Sequence, residues 1–120
     1  GGRLGGRMGR GQRILLLHHK GAKSGKERVA PLLYMPDGDD IVVVASKGGV
    51  DKNPAWYLNL RAHPDTEVEL RGERRKVRAR VANEEERAEL WPRVVDMYGG
   101  YAEYQTYTER KIPLVILEPS

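Results

Sequence analysis

The sequence predicts an α+β fold, a small barrel of about six strands with two to three helices packed on it. Strand-like apolar runs recur in the order β-β-β-α-β-β-α-β, joined mostly by hairpin-sized turns. A doubly wound parallel sheet would need strands alternating regularly with helices, and they do not. With 120 residues the chain has material for one core and not two.

The elements follow in order. Residues 13–19 and 29–35 are apolar runs that suit strands, and Pro36-Asp37-Gly38-Asp39-Asp40 is turn chemistry. Residues 41–45 are β-branched and continuous, as expected of a strand buried on both faces. Asn53-Pro54 reads as a helix start, with Asn at the N-cap and Pro at the first helical position. The helix over 55–62 ends at His63-Pro64. Residues 66–70 and 74–81 form a hairpin whose second strand places Val77, Ala79 and Val81 on one face and Arg74, Lys76, Arg78 and Arg80 on the other. Asn83 caps a second helix with Glu84, Glu85 and Glu86 in its first turn, Pro92 being a candidate kink. A Tyr-rich segment and a last strand over 112–117 complete the chain.

Composition narrows the chemistry. The net charge of +4 and a pI near 9.5 favour anionic partners. No cysteine is present, which excludes disulfides, thiol catalysis and cysteine-ligated metals and agrees with a reducing, cytoplasmic location. No apolar run approaches the roughly 20 residues that span a bilayer. Residues 1–11, with six Gly and three Arg, read as a flexible arm ahead of one domain over 12–120.

Two Gly/Ser turns rich in cations follow strand-like runs. Lys20-Gly21-Ala22-Lys23-Ser24-Gly25-Lys26-Glu27-Arg28 is the first, and Ala45-Ser46-Lys47-Gly48-Gly49 the second. Backbone N–H groups and fixed positive charge converge there, so together they suggest one phosphorylated ligand held from two sides. The plainer alternative is a pair of solvated turns. Neither is a Walker loop, because the glycine spacing is wrong and a strand follows the first. Tyr98, Tyr101, Tyr104 and Tyr107 recur every three residues, which makes either an aromatic wall over a flat substrate or a helix packing its rings on the core. His18 and His19 are adjacent on a strand and face opposite ways, so no metal site is expected, and no Ser–His arrangement is evident. A cofactor should therefore carry any reaction. The basic face of residues 74–80 lacks interleaved aromatics and reads as a solvated strand face, with no nucleic-acid partner.

Four segments in this order resemble the deazaflavin-dependent nitroreductase family of actinobacteria: Gly21 to Leu32, Val42 to Leu60, Glu84 to Pro92, and Met97 to Pro113. The resemblance implies a split β-barrel and coenzyme F420, a deazaflavin with a phosphate and a polyglutamate tail. It implies that Lys23, Ser24 and Arg28 meet the anionic end of the cofactor, and that Ser46 and Lys47 lie close to it. Pro31, Ala45, Ala55, Trp56 and Asn59 match positions lining the cofactor groove. Tyr98, Tyr101 and Tyr104 match the substrate side, where they and Ser46 are the candidate catalytic residues. The acceptor implied is a flat electrophile, a quinone or a nitroaromatic. Ala55 and Leu33 depart from the nitroimidazole-activating pattern, which has Met and an aromatic there. A monomer or homodimer is expected, with the arm as a candidate peripheral membrane contact. An FMN-dependent oxidoreductase on the same fold, or a non-catalytic binder of deazaflavin or other anionic ligands, is the alternative.

Overall fold

The computed structural model describes residues 13–49 and 51–120. The predicted arm over 1–11 lies outside the described residues. Among these residues seven strands form one sheet: β1 (Ile14–Lys20), β2 (Glu27–Leu33), β3 (Met35–Asp37), β4 (Asp40–Val44), β5 (Asp65–Leu70), β6 (Glu73–Val81) and β7 (Leu114–Pro119). Their order is β2-β1-β5-β6-β7-β4-β3, and every neighbouring pair is antiparallel.

The two edges of this sheet are consecutive in sequence. Only Tyr34 separates β2 at one edge from β3 at the other, so the sheet has to curl back on itself into a half-barrel. Tyr34 makes the corner: its N–H donates to the Arg13 carbonyl at 2.9 Å and its side chain is buried. This corrects the single strand expected over 29–35, and it raises the strand count from six to seven.

In place of the one core expected, alternation divides the apolar residues between two, one on each face of the curled sheet. Leu15, Leu17, Val43, Val68 and Leu117 fill the barrel, and Trp56, Tyr57 and Leu60 of α1 (Ala55–Ala62) close it. On the outer face Val42, Val44, Leu114 and Ile116 meet Leu90 and Val94 of α2 (Glu84–Met97) and Tyr101 of α3 (Gly100–Thr106). β4 is accordingly buried on both faces, as its unbroken apolar run requires.

The caps differ from one another. Asn83 forms a full capping box with Glu86, and α2 runs on through Pro92. At α1 the cap position belongs to Pro54, and Asn53, expected there, instead accepts from Arg110 at 2.8 Å. Val81 lies at the strand end and stays 41% exposed, unlike Val77 and Ala79. The basic face of β6 is ion-paired: Arg74 with Glu67 and Glu69, Arg78 with Asp65, Arg80 with Glu86 and Glu118. Among the described residues no helix is long and apolar enough to cross a membrane.

Candidate functional site

A cleft of about 450 Å³ opens where β2, the turn after β4, the start of α1 and the tyrosine helix meet. Pro31, Ser46, Lys47, Trp56, Tyr98, Tyr101 and Tyr104 all line it, so the structure brings together seven of the predicted site residues. Ile14, Leu33, Val44 and Pro54 complete its apolar walls.

The second basic turn is built into this cleft. Lys47 adopts a left-handed φ of 44° and Gly49 one of 85° inside a short 3-10 turn, Lys47–Gly49. A Cβ on Gly49 would lie 2.6 Å from the Tyr104 carbonyl oxygen, so only glycine lets the turn pack this closely on α3. Behind the turn, Arg110 donates to the carbonyls of Ala45 at 3.2 Å and Ser46 at 2.8 Å. Thr108 adds a second tie, its hydroxyl donating to Asp51 at 2.5 Å.

The tyrosines pack as a triad. Tyr98 and Tyr101 meet edge-on at 5.0 Å between ring centroids, and Tyr101 and Tyr104 at 6.3 Å. The Tyr98 and Tyr104 hydroxyls share a hydrogen bond of 3.2 Å. Burial pushes the Tyr101 phenol up to about 12, and the bond to Tyr98 raises that of Tyr104. Both phenols therefore keep their protons at neutral pH. Tyr107 leaves the series: it is 59% exposed and donates to Glu103 at 2.8 Å. Tyr101 is both wall and core, being almost fully buried while lining the cleft.

The remaining predicted residues stand apart from the lining. Ala45 is fully buried beneath the second turn, its carbonyl accepting from Arg110 and its N–H donating to the Pro113 carbonyl at 3.0 Å. Ala55 is exposed at the start of α1, between the lining residues Pro54 and Trp56. Lys23 and Ser24 are exposed on the first turn, where the Ser24 hydroxyl accepts from the Lys26 N–H at 3.1 Å. Arg28 lies in β2 opposite His19 rather than in the turn. It is three residues before Pro31, about 10 Å along the strand. Asn59 is buried, with both ends of its amide occupied: Oδ1 accepts from the Ala22 N–H at 2.8 Å and Nδ2 donates to His19 Nδ1 at 2.9 Å. It pins the first turn to α1 instead of presenting itself to the cleft.

Sequence reasoning missed Arg110 and Gln105 as parts of this site. Gln105 accepts from the Ile112 N–H and donates to the Arg110 carbonyl at 2.7 Å, fixing the chain after α3. Nothing local distinguishes Arg110 from the chain's other arginines, whereas the Gly48-Gly49 pair was a readable signal for a close backbone approach.

Residues 1–119 match the model of the F420H(2)-dependent quinone reductase family. The chain belongs to this family. An F420H(2)-dependent quinone reductase of Mycobacterium tuberculosis is 40% identical over 119 residues, covering 97% of this chain and 80% of that protein. A second M. tuberculosis relative, provisionally named for the same activity, is 50% identical over 117 residues, covering 94% of this chain and 98% of its own. The solved structure of an F420-H2 dependent reductase superposes with a TM-score of 0.81 at 42% identity, covering 88% of this chain and 94% of that one. A FAD-binding protein of Mesorhizobium loti shares the fold alone, with a TM-score of 0.62 at 14% identity, covering 90% of this chain and 81% of that one. Coenzyme F420 is the cofactor of the family, and the neighbouring flavin-binding barrels agree with the half-barrel described above.

Proposed function

We propose that this protein passes a hydride from reduced coenzyme F420 to a flat electrophilic acceptor, a quinone in the first place and a nitroaromatic in the second. The observation that carries the reading is one cleft shared by the Ser46–Lys47 turn and the Tyr98–Tyr101–Tyr104 triad. Its volume is that of a small-molecule site. Pro31, Trp56 and the tyrosines offer flat walls for a ring system. Lys47 at the cleft and Arg28 further along β2 suit an elongated anion better than a compact one.

Reduced F420 supplies a hydride, two electrons with one proton, from C5 of its deazaflavin. The residues of this chain supply position. Lys47, Arg28 and Lys23 hold the anionic cofactor through charge-assisted hydrogen bonds of about 1.5–3 kcal/mol each where partly desolvated. Ser46 donates to the cofactor or to the acceptor oxygen that becomes negative. The Tyr98–Tyr104 pair places a neutral O–H at the same face, where it can hand on the proton that completes the hydroquinone. Ile14, Leu33 and Pro31 add apolar surface to the cleft. Among the described residues no cluster of His, Asp or Glu is arranged to hold a metal ion, and this assignment needs none.

A homodimer fits this reading, since a relative at 42% identity and a TM-score of 0.81 was solved as a domain-swapped dimer. Fluorescence titration with oxidised F420, with FMN as competitor, tests the cofactor. Saturable binding that FMN does not displace, followed by menadione reduction with the reduced cofactor, is the expected result. Preference for FMN would replace the reading with a flavin enzyme on the same fold. Binding without reduction of any quinone or nitroaromatic would leave a carrier.

A further inference from the structure

Arg110 stands behind the cleft, not in it, yet its side chain reaches each piece of the loop on the cofactor side. Its guanidinium donates to the Ala45 carbonyl at 3.2 Å, the Ser46 carbonyl at 2.8 Å and the Asn53 side-chain oxygen at 2.8 Å. Those acceptors span the turn that carries Ser46 and Lys47 and the approach to α1 that carries Pro54 and Trp56. The Arg110 backbone is anchored to the other wall. Its carbonyl accepts from Gln105 of the tyrosine helix at 2.7 Å, and its N–H donates to the Thr108 hydroxyl at 3.2 Å. One residue thus ties the cofactor-side turn to the substrate-side helix.

We propose that Arg110 is a positioning residue, which sets the gap between the Ser46–Lys47 turn and the Tyr98–Tyr104 wall in which hydride transfer takes place. The proposal rests on the functional reading given above. Its physical basis is the geometry of the guanidinium, whose five donors spread over a planar fork of three nitrogens, whereas a lysine ammonium has three donors on a single nitrogen. Two trans peptides follow Ala45 and Ser46. With both carbonyls held toward Arg110, the planar peptide turns the Ser46 and Lys47 N–H groups the opposite way. Lys47 also keeps a left-handed φ of 44°, a conformation that a non-glycine residue holds only when its surroundings impose it. Gly49 packed on Tyr104 fixes one end of the turn, and Arg110 fixes the other.

The test compares Arg110→Ala, Arg110→Lys and Asn53→Ala with wild type in four measurements. These are thermal melting, fluorescence titration with oxidised F420, kcat and KM for menadione, and the deuterium isotope effect with F420H2 labelled at C5. Arg110→Ala is expected to weaken F420 binding about tenfold. Its kcat should fall by on the order of 100-fold, because a misplacement near 1 Å costs that much, and the isotope effect should rise as hydride transfer becomes limiting. Arg110→Lys should recover melting temperature more than it recovers kcat. Guanidinium ion added at low concentration should restore part of the turnover of Arg110→Ala. Asn53→Ala, which keeps the arginine, should show the same changes at smaller size, and it carries the test if Arg110→Ala fails to fold. A lowered melting temperature with unchanged F420 affinity, kcat and isotope effect would make Arg110 structural only and overturn the proposal. Failure of wild type to bind F420 would instead overturn the functional reading, and this proposal with it.

Discussion

The turn between β1 and β2 and the turn after β4 are both basic Gly/Ser turns, but the protein holds them differently. Lys20, Lys23 and Lys26 of the first are all exposed, on backbone joined to α1 through Asn59. The second has Lys47 alone among its residues 45–49, yet it is tied by Arg110, packed on Tyr104 through Gly49 and open to the cleft. Under the proposed function, the exposed cations of the first turn would attract and loosely hold the anionic end of the cofactor, and the restrained second turn would place it for reaction.

Glycine substitutions separate the two turns most sharply. At Gly49 a Cβ would meet the Tyr104 carbonyl oxygen at 2.6 Å and its Cα at 2.9 Å, on backbone with φ of 85°. At Gly25, with φ of 72°, it would meet nothing within 4 Å. Gly49→Ala should cost about 3 kcal/mol, combining left-handed strain with displacement of α3, and should abolish quinone reduction. Gly25→Ala should cost about 1 kcal/mol. Denaturant melts of both variants decide it: equal losses would mean that the second turn is no better restrained than the first.

Asn59→Ala removes the tie on the first turn. The Ala22 N–H and the buried His19 ring nitrogen would both lose their partner, at a cost of about 2 kcal/mol. Turnover at saturating F420 should stay near wild type, since the cleft lining is untouched. A collapse of kcat in a folded Asn59→Ala protein would show that Asn59 serves the cofactor directly, as the family resemblance implied.

Lysine truncations give a smaller contrast. Lys47→Ala should weaken F420 binding about tenfold, the worth of one charge-assisted hydrogen bond. Lys26→Ala should change it less than threefold at physiological salt, because an exposed charge is screened within about 8 Å. Titrations at two ionic strengths would show it. A Lys26 effect as large as that of Lys47 would make the first turn the true phosphate site.

Features carried by neighbouring residues were legible in the sequence. Residues 41–45 announced a doubly buried strand, Asn83 with Glu86 announced a capping box, and the two turns announced themselves by composition. The corner at Tyr34 was not legible, because the run over 29–35 has no break in it. What bends it is the antiparallel pairing of Met35 with Val42 at the far edge of the sheet. Asn53 carried a genuine cap signal that Arg110 overrode from 57 positions away. Tyr107 fits the three-residue spacing and still leaves the wall, since α3 ends at Thr106. For Tyr34 and Asn53 the deciding partner is distant in sequence, which local pattern cannot reveal.

The smallest expected effect is a pH dependence confined to the first turn. The Asn59 amide can accept only at Oδ1, so it must present Oδ1 to the Ala22 N–H and Nδ2 to His19. His19 Nδ1 is then an acceptor, and the imidazole is neutral. Burial lowers its pKa from 6.5, and the Arg28 charge and the neighbouring His18 lower it further. Protonation would turn Nδ1 into a donor, and Asn59 could satisfy it only by turning a second donor toward Ala22. Because the folded pKa is depressed, this contribution to stability is fully present above about pH 6.5 and declines as pH falls from there toward the lowered value. Melting temperatures measured across that range should fall more steeply for wild type than for His19→Gln, whose amide oxygen can accept from Asn59 without titrating. Hydrogen exchange of the Ala22 amide, corrected for its intrinsic rate, should accelerate over the same range while that of the Gly49 amide, bonded to the Ser46 carbonyl, does not. Parallel acceleration of both amides would mean that the two turns open together, and the distinction between them would fail.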